Sequence, residues 1–214
     1  MNTKDRILRE ALHLFSKKGF DAVSVRAIAK AVGIKESSLY NHFAGKDDIL
    51  ASVISEYNAR GDAFFSSMNL TGENMQFIVD KKTVGMYENM SAQQLMEMAN
   101  QIFDFYFTDE INTQMRRMLT MEQYRNSALS KMYRLISFDA SLEYQSDLFG
   151  ALMKEGFLIQ TDPYVLALEF FAPIFLIFYK FDNDKASLEE ARALFLRHTA
   201  HFTQMYSLQE AREN

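Results

Sequence analysis

The chain has 214 residues, 48% of them hydrophobic, with two prolines, no cysteine and a net charge of −5. That length and composition suit a globular protein with a sizeable core in one or two domains, and the lack of cysteine excludes a disulfide framework and thiolate metal sites. The charge is split: residues 1–50 carry nine Lys/Arg against six Asp/Glu, a net +3, and residues 51–214 carry fourteen against twenty-two, a net −8.

The N-terminus, MNTKDRILRE, is charged and helical in pattern. It does not read as a signal peptide, so a cytoplasmic protein is expected. A first helix is predicted over Thr3–Lys18, with Ile7, Leu8, Ala11, Leu12 and Phe15 as its buried stripe. Gly19 stands just past its end, and Phe20 is placed to fold back on the last turn.

Ser24–Phe43 reads as two short helices joined by a glycine turn. Val25, Ile28, Ala29 and Val32 recur at helical spacing, Ser24 is placed to cap, and Gly33 to terminate. The second helix starts after Lys35-Glu36 with Leu39 and Phe43 as its inward pair. Lys35, Glu36, Ser37, Ser38, Tyr40, Asn41 and His42 point away from that pair. Small and hydrogen-bonding groups on such a helix suit the edges of bases and phosphates in a major groove. The competing reading is a solvated surface helix.

Lys46-Asp47-Asp48 opens a long helix to about Ser67, and NLTGEN (69–74) is a break. Further helices are predicted over 75–90, 92–107, 110–125, 128–136 and 140–155, with Ser91 and Gln94 as a capping box and Gly156 as a stop. Asp162-Pro163 starts a helix to about Tyr179. Asn183-Asp184-Lys185 turns the chain into a last helix, capped by Ser187 and Glu190 and running to about Tyr206; the tail 207–214 is polar. The spacing predicts an all-α fold.

The run Ala11–Leu50 resembles the DNA-binding domain of the TetR family of bacterial transcriptional regulators. The resemblance rests on Phe15, Gly19-Phe20, Ser24-Val25, Ile28-Ala29, Val32-Gly33-Ile34, Leu39-Tyr40, His42-Phe43, Lys46 and Leu50. One residue departs from the pattern: Lys35 stands where the family often has Ser or Thr, and a lysine cannot cap a helix in that way, so Ser37 or a water is the alternative cap. The resemblance implies an N-terminal three-helix helix–turn–helix domain over 1–48, linked by the helix 46–67 to a larger helical effector-binding and dimerisation domain over 49–214. It implies a homodimer on double-stranded DNA, released by a small effector. Ser37, Ser38 and Asn41 are the candidates for base edges, with Lys35 at the start of the reading helix; Ser24, Arg26, Tyr40, His42 and Lys46 are the candidates for phosphates.

Three later features add to this. The run FFAPIFLIFY (170–179) is too short for a membrane span, which takes roughly twenty residues. It reads as a helix buried on nearly all sides. Together with the last helix it suits a symmetric interface through Phe170, Ile174, Phe178, Leu188, Phe195, Phe202 and Tyr206. Twelve of thirteen methionines and sixteen of nineteen phenylalanines lie after residue 50. Adaptable and aromatic side chains suit an apolar ligand, and Phe103, Phe107, Met118, Met121, Tyr124, Tyr144, Phe149 and Phe171 are its expected contacts. For any one of them, plain core packing is the stronger reading. His198 and His201, three apart with no third ligand nearby in sequence, make a poor metal site.

No metal, cofactor or membrane partner is expected, and no catalytic motif is present. The rival function is a DNA-bound adaptor whose C-terminal half binds a protein rather than a metabolite.

Overall fold

The structure, a computed structural model, describes residues 2–71, 77–182 and 185–208. Among these the α-helices are α1 (Thr3–Lys18), α2 (Val25–Val32), α3 (Glu36–Tyr40), α4 (Lys46–Ser67), α5 (Lys81–Glu88), α6 (Ala92–Phe103), α7 (Glu110–Glu122), α8 (Ser127–Arg134), α9 (Ala140–Lys154), α10 (Pro163–Phe181) and α11 (Leu188–Tyr206). No strand occurs among the described residues, and the all-α expectation holds. Residues 72–76 (72–74 of them in the NLTGEN break), Asn183-Asp184 and the tail from 209 lie outside the described residues, and the helix expected over 75–90 begins only at Lys81, where Asp80 accepts from Thr83 N as its N-cap.

The chain forms two compact units, each discontinuous in sequence. The first is Met1–Phe65 with Asp109–Leu135; the second is Ser66–Thr108 with Ile136–Asn214. This differs from a boundary at residue 48/49. The reason is α7, whose stripe Met115, Met118 and Leu119 is buried, and which packs on α1. α1 also packs on α2, so its wide apolar face is shared between two neighbours.

Local chemistry sets the ends of the N-terminal helices. Asn2 and Asp5 cap α1 reciprocally, at 2.9 and 3.1 Å. Ser24 Oγ accepts from Ala27 N at 3.2 Å, as expected of an N-cap. Gly33 ends α2 in the left-handed conformation, at φ 78° and ψ 32°. The helix after the turn is shorter than its periodicity predicts. α3 ends at Tyr40, and the amides of His42 and Phe43 both donate to Leu39 O, at 2.9 and 3.1 Å, in a closing turn. Asn and His are weak helix formers, so little favours continuing the helix there. Leu39 and Phe43 are nevertheless both buried. Lys35 is the N-cap residue of α3, and its side chain makes no capping hydrogen bond.

The second unit has two apolar clusters. One gathers Leu142, Leu148, Phe149, Leu152, Leu166 and Phe202; the other gathers Phe103, Ile174, Ile177, Phe178 and Phe195. α10 contributes its first half to one and its second half to the other. It is not buried on nearly all sides: Val165 (47% exposed), Leu168 (41%), Leu176 (65%) and Tyr179 (43%) lie on an outer stripe. Length and apolar composition would let α10 cross a membrane, but both its halves are built into these cores.

Candidate nucleic-acid interface

The buried pair Leu39 and Phe43 anchors α3 and fixes what remains outside. Lys35, Ser37, Tyr40, Asn41 and His42 are exposed, as is Arg26 on α2; Ser38 is half-buried. Ser24 is exposed with its oxygen engaged as the α2 cap. These residues make one polar surface from consecutive turns of chain. Asn41 and His42 project from the closing turn rather than from the helix itself.

Lys46 is placed differently from a free phosphate ligand. Its ammonium donates to Phe20 O at 2.9 Å and to Asp21 O at 3.4 Å, and lies 4.2 Å from the centre of the Phe20 ring. An ammonium has three donors, so one remains for DNA. Asp48 caps the start of α4 by accepting from Ala44 N at 2.8 Å.

Two residues outside the sequence expectations also hold this unit. Arg6 Nη2 donates to Val32 O at 2.5 Å and so satisfies the last carbonyl of α2. Glu122 is 1% exposed and accepts from Phe20 N at 2.8 Å. Its signal in the sequence is a carboxylate at the next position of the stripe Met115, Met118, Leu119. A cleft of about 460 Å³ opens in the same unit, its rim including Arg9, Glu10, His13 and Glu56.

The expected effector contacts are divided between the two compact units. Met118 is fully buried in the first unit, where Met121 also lies, and Tyr124 is 90% exposed, because the chain has left α7 by then. The other five belong to the second unit. There Phe103 stacks on Phe107 at 4.2 Å, and Phe107 on Phe178 at 4.4 Å. Phe149 stacks on Phe202 at 5.5 Å, Tyr144 lies 4.8 Å from Phe77, and Phe171 lies 6.3 Å from Phe175. Burial pushes the Tyr144 and Tyr87 phenols up from their ordinary range.

The expected interface residues contribute to the protomer's own packing. Ile174, Phe178, Phe195 and Phe202 are buried within the protomer, and Phe170, Leu188 and Tyr206 pack partly buried against the same clusters. The face they form is internal; the outer stripe of α10 lies on other residues. His198 donates from Nε2 to Phe170 O at 2.7 Å and serves the packing of α10 on α11. Among the described residues no group of His, Asp and Glu is arranged for a metal.

The described residues form helices only, with a helix–turn–helix near the N-terminus. Residues 7–53 match the model of the bacterial regulatory proteins of the tetR family. The chain is 35% identical over 74 residues to the HTH-type transcriptional regulator TcmR of Streptomyces glaucescens, a match covering 34% of this chain and 31% of that protein. It is 50% identical over 46 residues to the biofilm operon icaADBC negative transcriptional regulator IcaR of Staphylococcus aureus (strain Newman), covering 22% and 25%. The chain thus spans about a third or less of the length of these curated relatives, which are transcriptional regulators and not enzymes. Over the whole chain the fold is similar to a TetR-family regulator from Marinobacter aquaeolei VT8, with TM-score 0.66, 20% identity, and 100% and 95% of the two chains covered. It is also similar to SmeT in a complex with triclosan, with TM-score 0.65, 15% identity, and 98% and 93% covered.

Proposed function

We propose that the protein is a homodimeric, sequence-specific transcriptional repressor, released from a near-palindromic operator by a small, largely apolar ligand. The observation that carries this reading is the polar surface of Lys35, Ser37, Tyr40, Asn41 and His42 standing over a buried Leu39 and Phe43. A rigid apolar anchor with exposed hydrogen-bonding groups is what reading base edges requires. Ser37, Ser38 and Asn41 would meet bases; Arg26, Lys35, Tyr40, His42 and Lys46 would meet phosphates. The polar sense of regulation is supported by IcaR, a negative regulator.

Dimerisation would use the outer stripe of α10, Val165, Leu168, Leu176 and Tyr179, an apolar surface of the kind that marks interfaces. The effector would part the aromatic side chains of the second unit, with Phe107, Tyr144, Phe149 and Phe171 as its contacts. A solved relative by fold in complex with triclosan supports an apolar, aromatic class of ligand. The effector's leverage is its preference between DNA-competent and incompetent states. Such a protein would act in the cytoplasm, where its operator is.

The test is a gel shift of the protein with DNA from upstream of its own gene at about 150 mM salt, where non-specific binding is weak. A discrete complex lost on Ser38→Ala with Asn41→Ala supports the reading. Equal binding to random duplex contradicts it.

A further inference from the structure

We infer that α7 is a strut within the first unit and that Glu122 is the positioning residue at its end, setting the loop on which the start of α4 rests. Glu122 is a charged side chain held 1% exposed in an apolar stripe. One oxygen accepts from Phe20 N at 2.8 Å, and the other, Oε2, is buried with no hydrogen-bond partner. A buried carboxylate is costly unless it is paired and fully bonded. A methionine would fill the same space without that penalty, so packing alone does not account for a glutamate here. What the carboxylate adds is a directed, charge-assisted bond to one peptide N–H across 102 positions of sequence.

That peptide belongs to a residue gripped from two sides. Phe20 N–H is held by Glu122 on α7, and Phe20 O by Lys46 at the first residue of α4. The Phe20 ring lies under the same ammonium and packs edge-on against Phe15, at 5.2 Å. The other end of α7 is tied as well: its N-cap Asp109 bonds Arg60 of α4. The lengths match. From Asp109 to Glu122 the rise is about 20 Å, and from Lys46 to Arg60 about 21 Å, at 1.5 Å per helical residue. α7 therefore holds α4 at its start, through Phe20 at Lys46, and again directly at Arg60, seven residues before its last residue, Ser67. A lengthwise slip of α7 must break one tie or carry the α1–α2 loop with it. Gly19 is fitted to this arrangement: a Cβ there would come 2.9 Å from Glu122 Oε1.

The consequence for DNA rests on the repressor reading above; the clamp itself does not. The test is hydrogen exchange on the full chain, comparing wild type with Glu122→Met and Glu122→Gln, followed by binding to a duplex selected by the wild type from a random pool. With Glu122→Met, amides in the segment 19–23 should exchange at least about tenfold faster while α9–α11 are unchanged. Affinity for the selected duplex should fall at least about tenfold. Glu122→Gln keeps an acceptor and should lie between. Unchanged exchange in 19–23 overturns the clamp, as does uniformly faster exchange along the whole chain. Should Glu122→Met not fold, Lys46→Met opens the other side of Phe20. Loosening of the same segment supports the proposal, and an unaltered segment overturns it. If wild type selects no duplex, the repressor reading fails and exchange alone still decides the clamp.

Discussion

At the scale of single residues, backbone conformation and burial set the sharpest expectations. Gly19 has φ 82°, where a side chain is strained, and its missing Cβ leaves room for Glu122 Oε1. Gly19→Ala meets both obstacles and should lower stability by about 1–3 kcal/mol, read as a lower urea midpoint. Tyr57, partly buried on α4, has its phenol pushed up to about 12 from 10.0, chiefly by burial and partly offset by Arg116. The folded chain therefore keeps this proton when the unfolded chain has lost it. Its contribution is intact below pH 10 and is lost as pH rises from 10 towards 12. Tyr57→Phe should flatten the fall of unfolding free energy over that window by at most about 1.4 kcal/mol per pH unit. What could be read at this scale was local: Ser24 as a cap and Gly33 as a stop follow from their immediate neighbours. Glu122 and the bonds of Lys46 to Phe20 could not be placed, because their partners are fixed only by tertiary packing.

At the scale of elements, α10 is where periodicity was least able to decide. Its caps and start were legible in Asp162-Pro163, and the N-cap oxygen indeed accepts from Tyr164 N and Val165 N at 2.9 and 3.0 Å. Its orientation was not, because both of its faces are apolar. Phe170, Ile174 and Phe178 repeat at four, and so do Leu168, Ala172 and Leu176; the pattern cannot say which row meets the protomer's own core. The two rows now predict different outcomes. Leu176→Glu puts a charge on the outer stripe, 65% exposed in the protomer, and should convert the proposed dimer to monomers without lowering the protomer's own stability. Sedimentation equilibrium reads the mass; a wild type already monomeric, or an unaltered dimer in the variant, removes this stripe as the interface. Ile174→Ala instead empties a buried site, 7% exposed, and should cost about 2–4 kcal/mol in urea unfolding.

At the scale of the whole molecule, the boundary at 48/49 was drawn where the charge and the motif end, whereas packing returns 109–135 to the first unit. Apolar stripes on successive helices look alike in sequence, so the partner of α7 was not legible there. The charge split itself was, and it yields a prediction about assembly. The net +3 of residues 1–50 is small for a DNA binder, and residues 51–214 carry −8. Binding must then depend on cations brought directly to phosphates. Arg26 and Lys35 are exposed and Lys46 has one free donor, which offers three cations per protomer. Each neutralised phosphate contributes about −0.9 to the slope of log affinity against log salt. Two protomers on one near-palindrome should therefore give a slope of about −5, and one protomer about −3. Gel shifts or fluorescence anisotropy over a salt series measure this slope. Leu176→Glu, which leaves every one of these cations in place, should move it from the first value towards the second. A slope unmoved by that variant would mean that the protomers meet the DNA independently, and that pairing through α10 contributes nothing to how the operator is held.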